Sequence, residues 1–524
     1  MVSLVLGAFS GVANSYLLVL IHRHLTLRTQ SLVVYVSCCL SMLAAGFLSQ
    51  YCLVRLSLKV ALDMRMRLCE LIRSASLREL ERLGSSSLIG MLTEDISTVA
   101  GAATSIPTAL MNVAVFSGCL IYVGLISPQI FGLAMLALLF GGWAYLAIQR
   151  LANQRFVKGR ELMNRLLLLL KGVTTGTKEL KLSAFGWRVV SAALFKSANE
   201  VNHHQQRAAI WTSLANTIGQ GVFFAFLGIM AALDSHMAVS RDDLTGITLV
   251  LLYMMGPLSG LLGLVTSFGR AYASLGAVRS VGFSLKPEKA SSGNGVPKRQ
   301  WLQEGTSLEL RGVVHSYDSP VDDAKFKLGP IDLSIRAREV LFLVGGNGCG
   351  KTTLAKVMTG LYSPEEGQLL LDGVPVTEEN HEQLRGSVGA IFSDFYLFED
   401  LFVEMGEDLN ATALALLQEW GLSKKVRMNS RGFSTPELSQ GQKKRLALIA
   451  LLLQNKQIYI FDEWAADQDP AHKRNFYEKL LTQLRGAGKS VVVITHDEGY
   501  FHVADRIIKL EGGLIQTKDS MHYF

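Results

Sequence analysis

Two hydrophobic patterns divide the chain. Residues 1 to about 280 run in long apolar stretches interrupted by small polar residues, whereas residues 300 to 524 mix glycine, charge and short apolar segments, the pattern of a soluble α/β domain. A helix needs roughly 20 apolar residues to cross a hydrocarbon core about 30 Å thick. Six segments reach that length, centred on 2–20, 31–53, 103–126, 129–148, 208–233 and 244–267. The pattern predicts an all-α six-helix transmembrane domain over 1–283 and an α/β domain over 301–524. Between them SLKPEKASSGNGVPKRQ (284–300) has no apolar periodicity and reads as a flexible linker. The first segment starts at Met1 without a basic lead-in, and no small-residue cleavage site ends it. A missing or misassigned start explains this better than a cleaved signal peptide.

Charge gives the orientation. Seven Lys and Arg lie from Arg55 to Arg82 and eight from Arg150 to Lys181, while the short connections 22–30, 127–128 and 234–243 together carry only Arg23, Arg28 and Arg241. Positive loops stay cytoplasmic, so both termini are expected there. Both basic loops carry apolar residues at helical spacing and should continue the spans as helices projecting inward. The net charge of +7 is thereby accounted for by membrane orientation, with no nucleic-acid partner. The six Cys show no paired metal-type spacing, so the sequence indicates neither a zinc site nor a disulfide framework. No span carries an acid of the kind a proton-coupled carrier needs. The polar residues inside spans are Asn14, Ser15, Asn112, Asn216, Thr217 and Gln220; each either packs helix to helix or lines a pathway.

The soluble half holds a phosphate-binding pattern. In LFLVGGNGCGKTT (341–353), Gly345, Gly350, Lys351 and Thr352 stand as GxxxxGK[ST] between an apolar strand-like run and a helical stretch. The loop Gly345, Gly346, Asn347, Gly348, Cys349 and Gly350 can curl so that backbone N–H groups face one anion. The helix beginning at Lys351, Thr352 and Thr353 adds its dipole. Lys351 is placed for the β- and γ-phosphates of ATP, and Thr352 for Mg²⁺. IYIFDE (458–463) is a strand ending in two carboxylates, with Asp462 expected to hold Mg²⁺ through water and Glu463 to act as general base. VVVITHDEGY (491–500) ends its apolar run at His496, a candidate contact to the γ-phosphate.

LSQGQKKRLALIALLL (438–453) resembles LSGGQ, the signature of ATP-binding-cassette transporters, with Gln440 in place of the first glycine. Ser439, Gly441, Gln442 and their backbone would form a second anion-binding helix tip. The resemblance implies that this tip faces the γ-phosphate of the opposite protomer, so two composite sites form in a homodimer. It also implies adenine stacking by Tyr317 and signalling between sites by Ala466 to Asp469, although AADQD departs from the commoner SALD. Residues 81–97 and 170–185 resemble the two coupling segments of exporters, expected to press into the nucleotide domain. IFSDFYLFEDL (391–401) and FDEWAADQDP (461–470) resemble the subgroup exporting cyclic or siderophore-type peptides, including pyoverdine-precursor and syringomycin-type exporters. Where relatives place a Gln on Mg²⁺ this chain has Ser393 and Asp394; Asp394 stands as substitute ligand or as cap, and the sequence leaves both open. The stretch from Phe398 to Leu438 is short for the usual helical subdomain, and Cys349 stands where Ser is common.

The resemblance therefore implies an ATPase-coupled exporter in a bacterial inner membrane, with a cytoplasmic nucleotide domain, ATP and Mg²⁺ as cofactors, and a second copy, the bilayer and a peptide or siderophore-like cargo as partners. A multidrug or lipid exporter, and a membrane-anchored regulatory ATPase, are the alternatives.

Overall fold

The computed structural model describes residues 2–27, 32–232, 241–284, 306–317, 326–398, 407–428, 432–434 and 438–516. Beyond Ser284 the expected linker lies outside these residues, as do parts of the connections 22–30 and 234–243 and of the stretch 398–438. The chain divides into two compact units: Met1–Ala75 with Glu79–Lys286, and Ser76–Arg78 with Pro287–Phe524.

The first unit is built on long helices: α1 (Val2–Leu27), α2 (Leu32–Ser74), α3 (Ile106–Ile126), α4 (Pro128–Thr175), α5 (Ala184–Ala232) and α6 (Arg241–Ser284). Among the described residues five helical stretches are long and apolar enough to cross a membrane. The first expected span coincides with α1, several of whose side chains lie outside the described residues. At 43 to 49 residues, α2, α4, α5 and α6 are about twice the length a bilayer requires. The basic positions from Arg55 to Arg73 and from Arg150 to Lys171 lie on these continuous helices rather than on loops. The tight turn into α4 has a local cause: Pro128 occupies the first helical position, and Ser127 Oγ accepts from the Ile130 N–H. Apolar residues of α3 to α6 (Val123, Ile130, Phe226, Met254) form a common core. Phe47, Leu125 and Trp143 stand largely exposed, as lipid-facing side chains would.

Of the segments resembling coupling elements, 81–97 contains the short helix Ser85–Gly90, where Gly90 is buried, and 170–185 contains Thr177–Leu182, which has no buried residue. Met91–Asp95 forms a π-turn, and Arg160 on α4 pairs with both Glu94 and the buried Asp95.

The second unit holds two sheets. Strands β1 (Leu308–Tyr317), β2 (Phe326–Ile335), β4 (Glu366–Leu371) and β5 (Val374–Pro375) form an antiparallel sheet in the order β2-β1-β4-β5. The larger sheet uses β3 (Val340–Val344), β6 (Val388–Ile391), β7 (Ile458–Asp462), β8 (Ser490–Ile494), β9 (Arg506–Glu511) and β10 (Leu514–Gln516), in the order β10-β9-β3-β8-β7-β6. All its pairs are parallel except β9 with β10. β7 and β8 are buried throughout and β3 nearly so, which is why they read as continuous apolar runs. Because β8 lies between β3 and β7, the carboxyl ends of these strands share one edge, where ligands of parallel α/β sheets bind.

Candidate active site

The turn leaving β3 cannot be made by ordinary residues. Gly345, Gly348 and Gly350 have φ of 152°, 76° and 102°, in the region that favours glycine. A Cβ on Gly345 would stand 2.2 Å from the Leu510 carbonyl oxygen. The loop delivers the chain into α7 (Lys351–Met358), whose first N–H groups receive no side-chain cap. Lys351 is 6% exposed and folds back on the loop, its Nζ donating to the Gly345 and Gly346 carbonyls at 2.7 and 2.9 Å. Cys349 is buried, with Sγ 4.0 Å from that amine.

From β7, Asp462 meets α7: Thr352 Oγ1 donates to Asp462 Oδ2 at 2.9 Å. Burial, chiefly, lifts the Asp462 carboxyl above the usual aspartate range, and neighbouring Glu463 adds to the rise. The Thr352 hydroxyl, Lys351 and the Ser393 backbone oppose it. Of the pair Ser393 and Asp394, it is thus the Ser393 main chain that reaches Asp462, while Asp394 is exposed. The Thr352 and Asp462 donors are both hard oxygens. That suits Mg²⁺, which is commonly bound by one or two protein ligands with phosphate and water completing its shell. Among the described residues no cluster of three His, Cys, Asp or Glu forms a complete protein cage.

Glu463 follows with φ 50° and ψ 34°, a left-handed conformation costing a non-glycine residue on the order of 1–2 kcal/mol. It is pinned at both ends. Its N–H donates to the Ile494 carbonyl at 3.0 Å, and its own carbonyl accepts from Lys444 Nζ at 3.1 Å. Across from it, His496 Nε2 is 3.5 Å from Glu463 Oε1. The residues flanking His496 are both tied to buried Tyr477: its Oη pairs with Thr495 Oγ1 at 2.7 Å and donates to Asp497 Oδ2 at 3.0 Å.

The signature segment caps helix α8 (Gln440–Leu453). Ser439 Oγ accepts from the Gln442 N–H, and the Gln442 side chain accepts from the Ser439 N–H, the reciprocal arrangement of a capping box. Among the described residues no hydrogen bond joins Ser439, Gly441 or Gln442 to the loop from Gly345 to Thr352. Tyr317 ends β1 opposite Phe326; its side chain lies outside the described residues. Thus Lys351, Thr352, Asp462, Glu463 and His496 come together, whereas Ser439, Gly441 and Gln442 form a separate helix tip. Lys444, Tyr477 and the Ser393 main chain were not expected from the sequence. Only the placement of Lys444 on the buried side of α8 hints at its role there.

In the first unit the polar span residues sort into two groups. Asn14 accepts from Tyr253 Oη at 2.7 Å, Ser15 and Thr217 bond to helix carbonyls, and Asn112 packs tightly on Gly260. Asn216 and Gln220, by contrast, are exposed and line a cavity with Ser259, Met255 and Leu262, next to an apolar cavity on the same helices.

Comparisons with known proteins give the family of the chain. The family model for the ABC transporter transmembrane region matches residues 1–258, and that for the ABC transporter matches 328–466. The ATP-binding protein SyrD of Pseudomonas syringae pv. syringae is 35% identical over 532 residues, covering 98% of this chain and 93% of SyrD. The chain belongs to the ABC transporters. It is an exporter half-transporter, a multi-pass membrane protein whose cytoplasmic ATP-binding domain is an ATPase coupled to transport. The ATP-dependent lipid A-core flippase of Haemophilus influenzae (strain 86-028NP) is 25% identical, covering 90% of this chain and 82% of the flippase. A solved bacterial Atm1-family ABC exporter with ATP bound has the same fold, with a TM-score of 0.76 at 18% identity, covering 98% of this exporter and 93% of that chain.

Proposed function

We propose that this ABC transporter works as a homodimer in a bacterial inner membrane and exports a cyclic or siderophore-type peptide. The observation that carries the mechanism is the gathering of Lys351, Thr352, Asp462, Glu463 and His496 at one sheet edge, while the Ser439 tip stands apart and needs another copy's phosphate loop to act on. Lys351 gives up the Gly345 and Gly346 carbonyls to donate to the β- and γ-phosphate oxygens of ATP. Thr352 and Asp462 would hold Mg²⁺, which would neutralise charge on the phosphates. Glu463 takes the proton of the attacking water, and His496 holds that water's orientation and contacts the γ-phosphate. Tyr317 stacks on adenine. Ser439, Gly441 and Gln442 donate to the γ-phosphate held by the partner, so the clamped dimer is the state that ATP stabilises, and only this difference in affinity drives the spans.

The cargo reading rests on the resemblance of 391–401 and 461–470 to peptide exporters, on the similarity to SyrD, and on Asn216 and Gln220 beside apolar surface. A cargo with an apolar body and hydrogen-bonding amides matches that lining. A lipid cargo is the second reading, favoured by the flippase relatives. The test is ATP-driven uptake into inverted vesicles of a siderophore-type cyclic peptide and of a labelled lipopolysaccharide core, by wild type and Glu463→Gln. Peptide uptake by wild type alone supports export of peptide. Uptake of the lipid alone overturns it, and a Glu463→Gln protein hydrolysing ATP at the normal rate overturns the assignment of the base.

A further inference from the structure

The described mechanism makes no use of the most buried cation in the nucleotide domain's signature helix. Lys444 is 3% exposed, and a buried ammonium persists only where partners replace its water. Its Nζ lies 2.7 Å from Asp467 Oδ2 and donates to the Glu463 carbonyl at 3.1 Å. The surrounding bonds sew α8 to the segment that follows β7. Trp464 Nε1 donates to the Lys444 carbonyl at 3.0 Å, and Gln468 Nε2 to the Gly441 carbonyl at 3.1 Å. Gly441 permits this closeness, since a Cβ there would stand 2.8 Å from the Asp467 carbonyl oxygen.

We propose that Lys444 is a positioning residue for Glu463, holding its left-handed peptide through the carbonyl and locking the chain's own signature tip to its own general base. Two consequences follow from geometry. Glu463 is held at its N–H by Ile494 and at its carbonyl by Lys444 and the Ala466 N–H. Without the ammonium the carbonyl keeps only the 3.3 Å bond from Ala466, and the peptide is freer to turn toward commoner backbone conformations. The side chain would then swing off the axis toward His496. The second consequence concerns the dimer. If each tip acts on the partner's nucleotide and each Glu463 on its own, Lys444 makes one rigid body of parts serving opposite sites, and binding at one site biases the other. Both consequences rest on the proposed roles of Glu463 and of the Ser439 tip.

The experiment uses full-length protein in lipid nanodiscs and reads kcat, KM and the Hill coefficient for ATP in wild type, Lys444→Met, Lys444→Gln, Asp467→Asn and Glu463→Gln. Lys444→Met is expected to lower kcat at least tenfold with KM within twofold, and to bring the Hill coefficient toward one. Lys444→Gln, whose amide can still donate to the carbonyl, recovers a large part of kcat. Asp467→Asn, which leaves the carbonyl bond in place, loses less than Lys444→Met and remains informative should that variant fail to fold. If Lys444→Met and Lys444→Gln both turn over like wild type while Glu463→Gln is inactive, the lock is wrong and the base stands. A parallel change of kcat and KM, or no recovery by Gln, assigns Lys444 a merely structural part and also overturns the proposal. Activity in Glu463→Gln refutes the underlying reading instead.

Discussion

Thr352 Oγ1 and Asp462 Oδ2 lie 2.9 Å apart, joining the first turn of α7 to the end of β7. Two side chains 110 positions apart in sequence thereby present hard oxygens at one point. Burial holds the Asp462 carboxyl above the ordinary aspartate range, so its ionisation opposes folding. Its contribution to stability is fullest below the ordinary aspartate value, about pH 4, and is lost as pH rises through the raised value. Asp462→Asn escapes that loss. In nucleotide-free protein the variant should melt at a higher temperature than wild type at pH 7.5, with the gap closing toward pH 4, while its ATPase is lost. A wild type more stable at neutral pH would contradict this.

Lys351 donates to loop carbonyls when no phosphate is present, so its bonds to ATP replace existing ones. Hydrogen bonds to charged groups are worth about 1.5–3 kcal/mol. Lys351→Ala should therefore weaken ATP binding roughly 10- to 100-fold, measured by titration with a fluorescent nucleotide. An unchanged Kd would remove Lys351 from the site.

Gly441 faces the Asp467 backbone closely enough that an added Cβ has no room, and backbone yields less readily than a flexible side chain. Gly441→Ala should displace the signature tip and reduce ATPase at least tenfold, with ATP affinity at the Lys351 loop within twofold of wild type. Equal loss of affinity would locate the damage elsewhere.

Asn216 and Gln220 expose amides on the mostly apolar C-terminal half of α5. Replacing both by Leu should abolish the stimulation of ATP hydrolysis by added cyclic peptide. Stimulation equal to that of wild type would exclude these two side chains from the cargo path.

Much of this was legible in the sequence for physical reasons. Strands buried on both faces, such as Val340–Val344 and Ile458–Asp462, must be continuously apolar, and the Gly345 and Gly350 positions follow from the curl of the loop. The basic stretches after the second and fourth spans carried helical spacing, and α2 and α4 continue through them. What sequence could not convey depends on long-range placement. The left-handed Glu463 and the Lys444 contact that holds it exist only once α8 is laid against the segment after β7. Asn112 and Asn216 are the same residue type in similar apolar runs, yet one is packed on Gly260 and the other is exposed; only neighbouring helices distinguish them. Ser439 illustrates a compatible surprise, since S-x-x-Q is itself a capping pattern and the hydroxyl read as an anion donor also closes its own helix.

The pairing of α4 with α5 has a mechanical corollary. Gly141 meets Val222 and Gly159 meets His204, equal steps in opposite directions along the two helices, so neither rod can bend without its neighbour. At 1.5 Å rise per residue the 49 residues of α5 extend about 74 Å. A stiff rod of that length is a lever: tilting one end by about 5° carries the other through about 6 Å, which is wider than a helix turn and is obtained without breaking a single backbone bond.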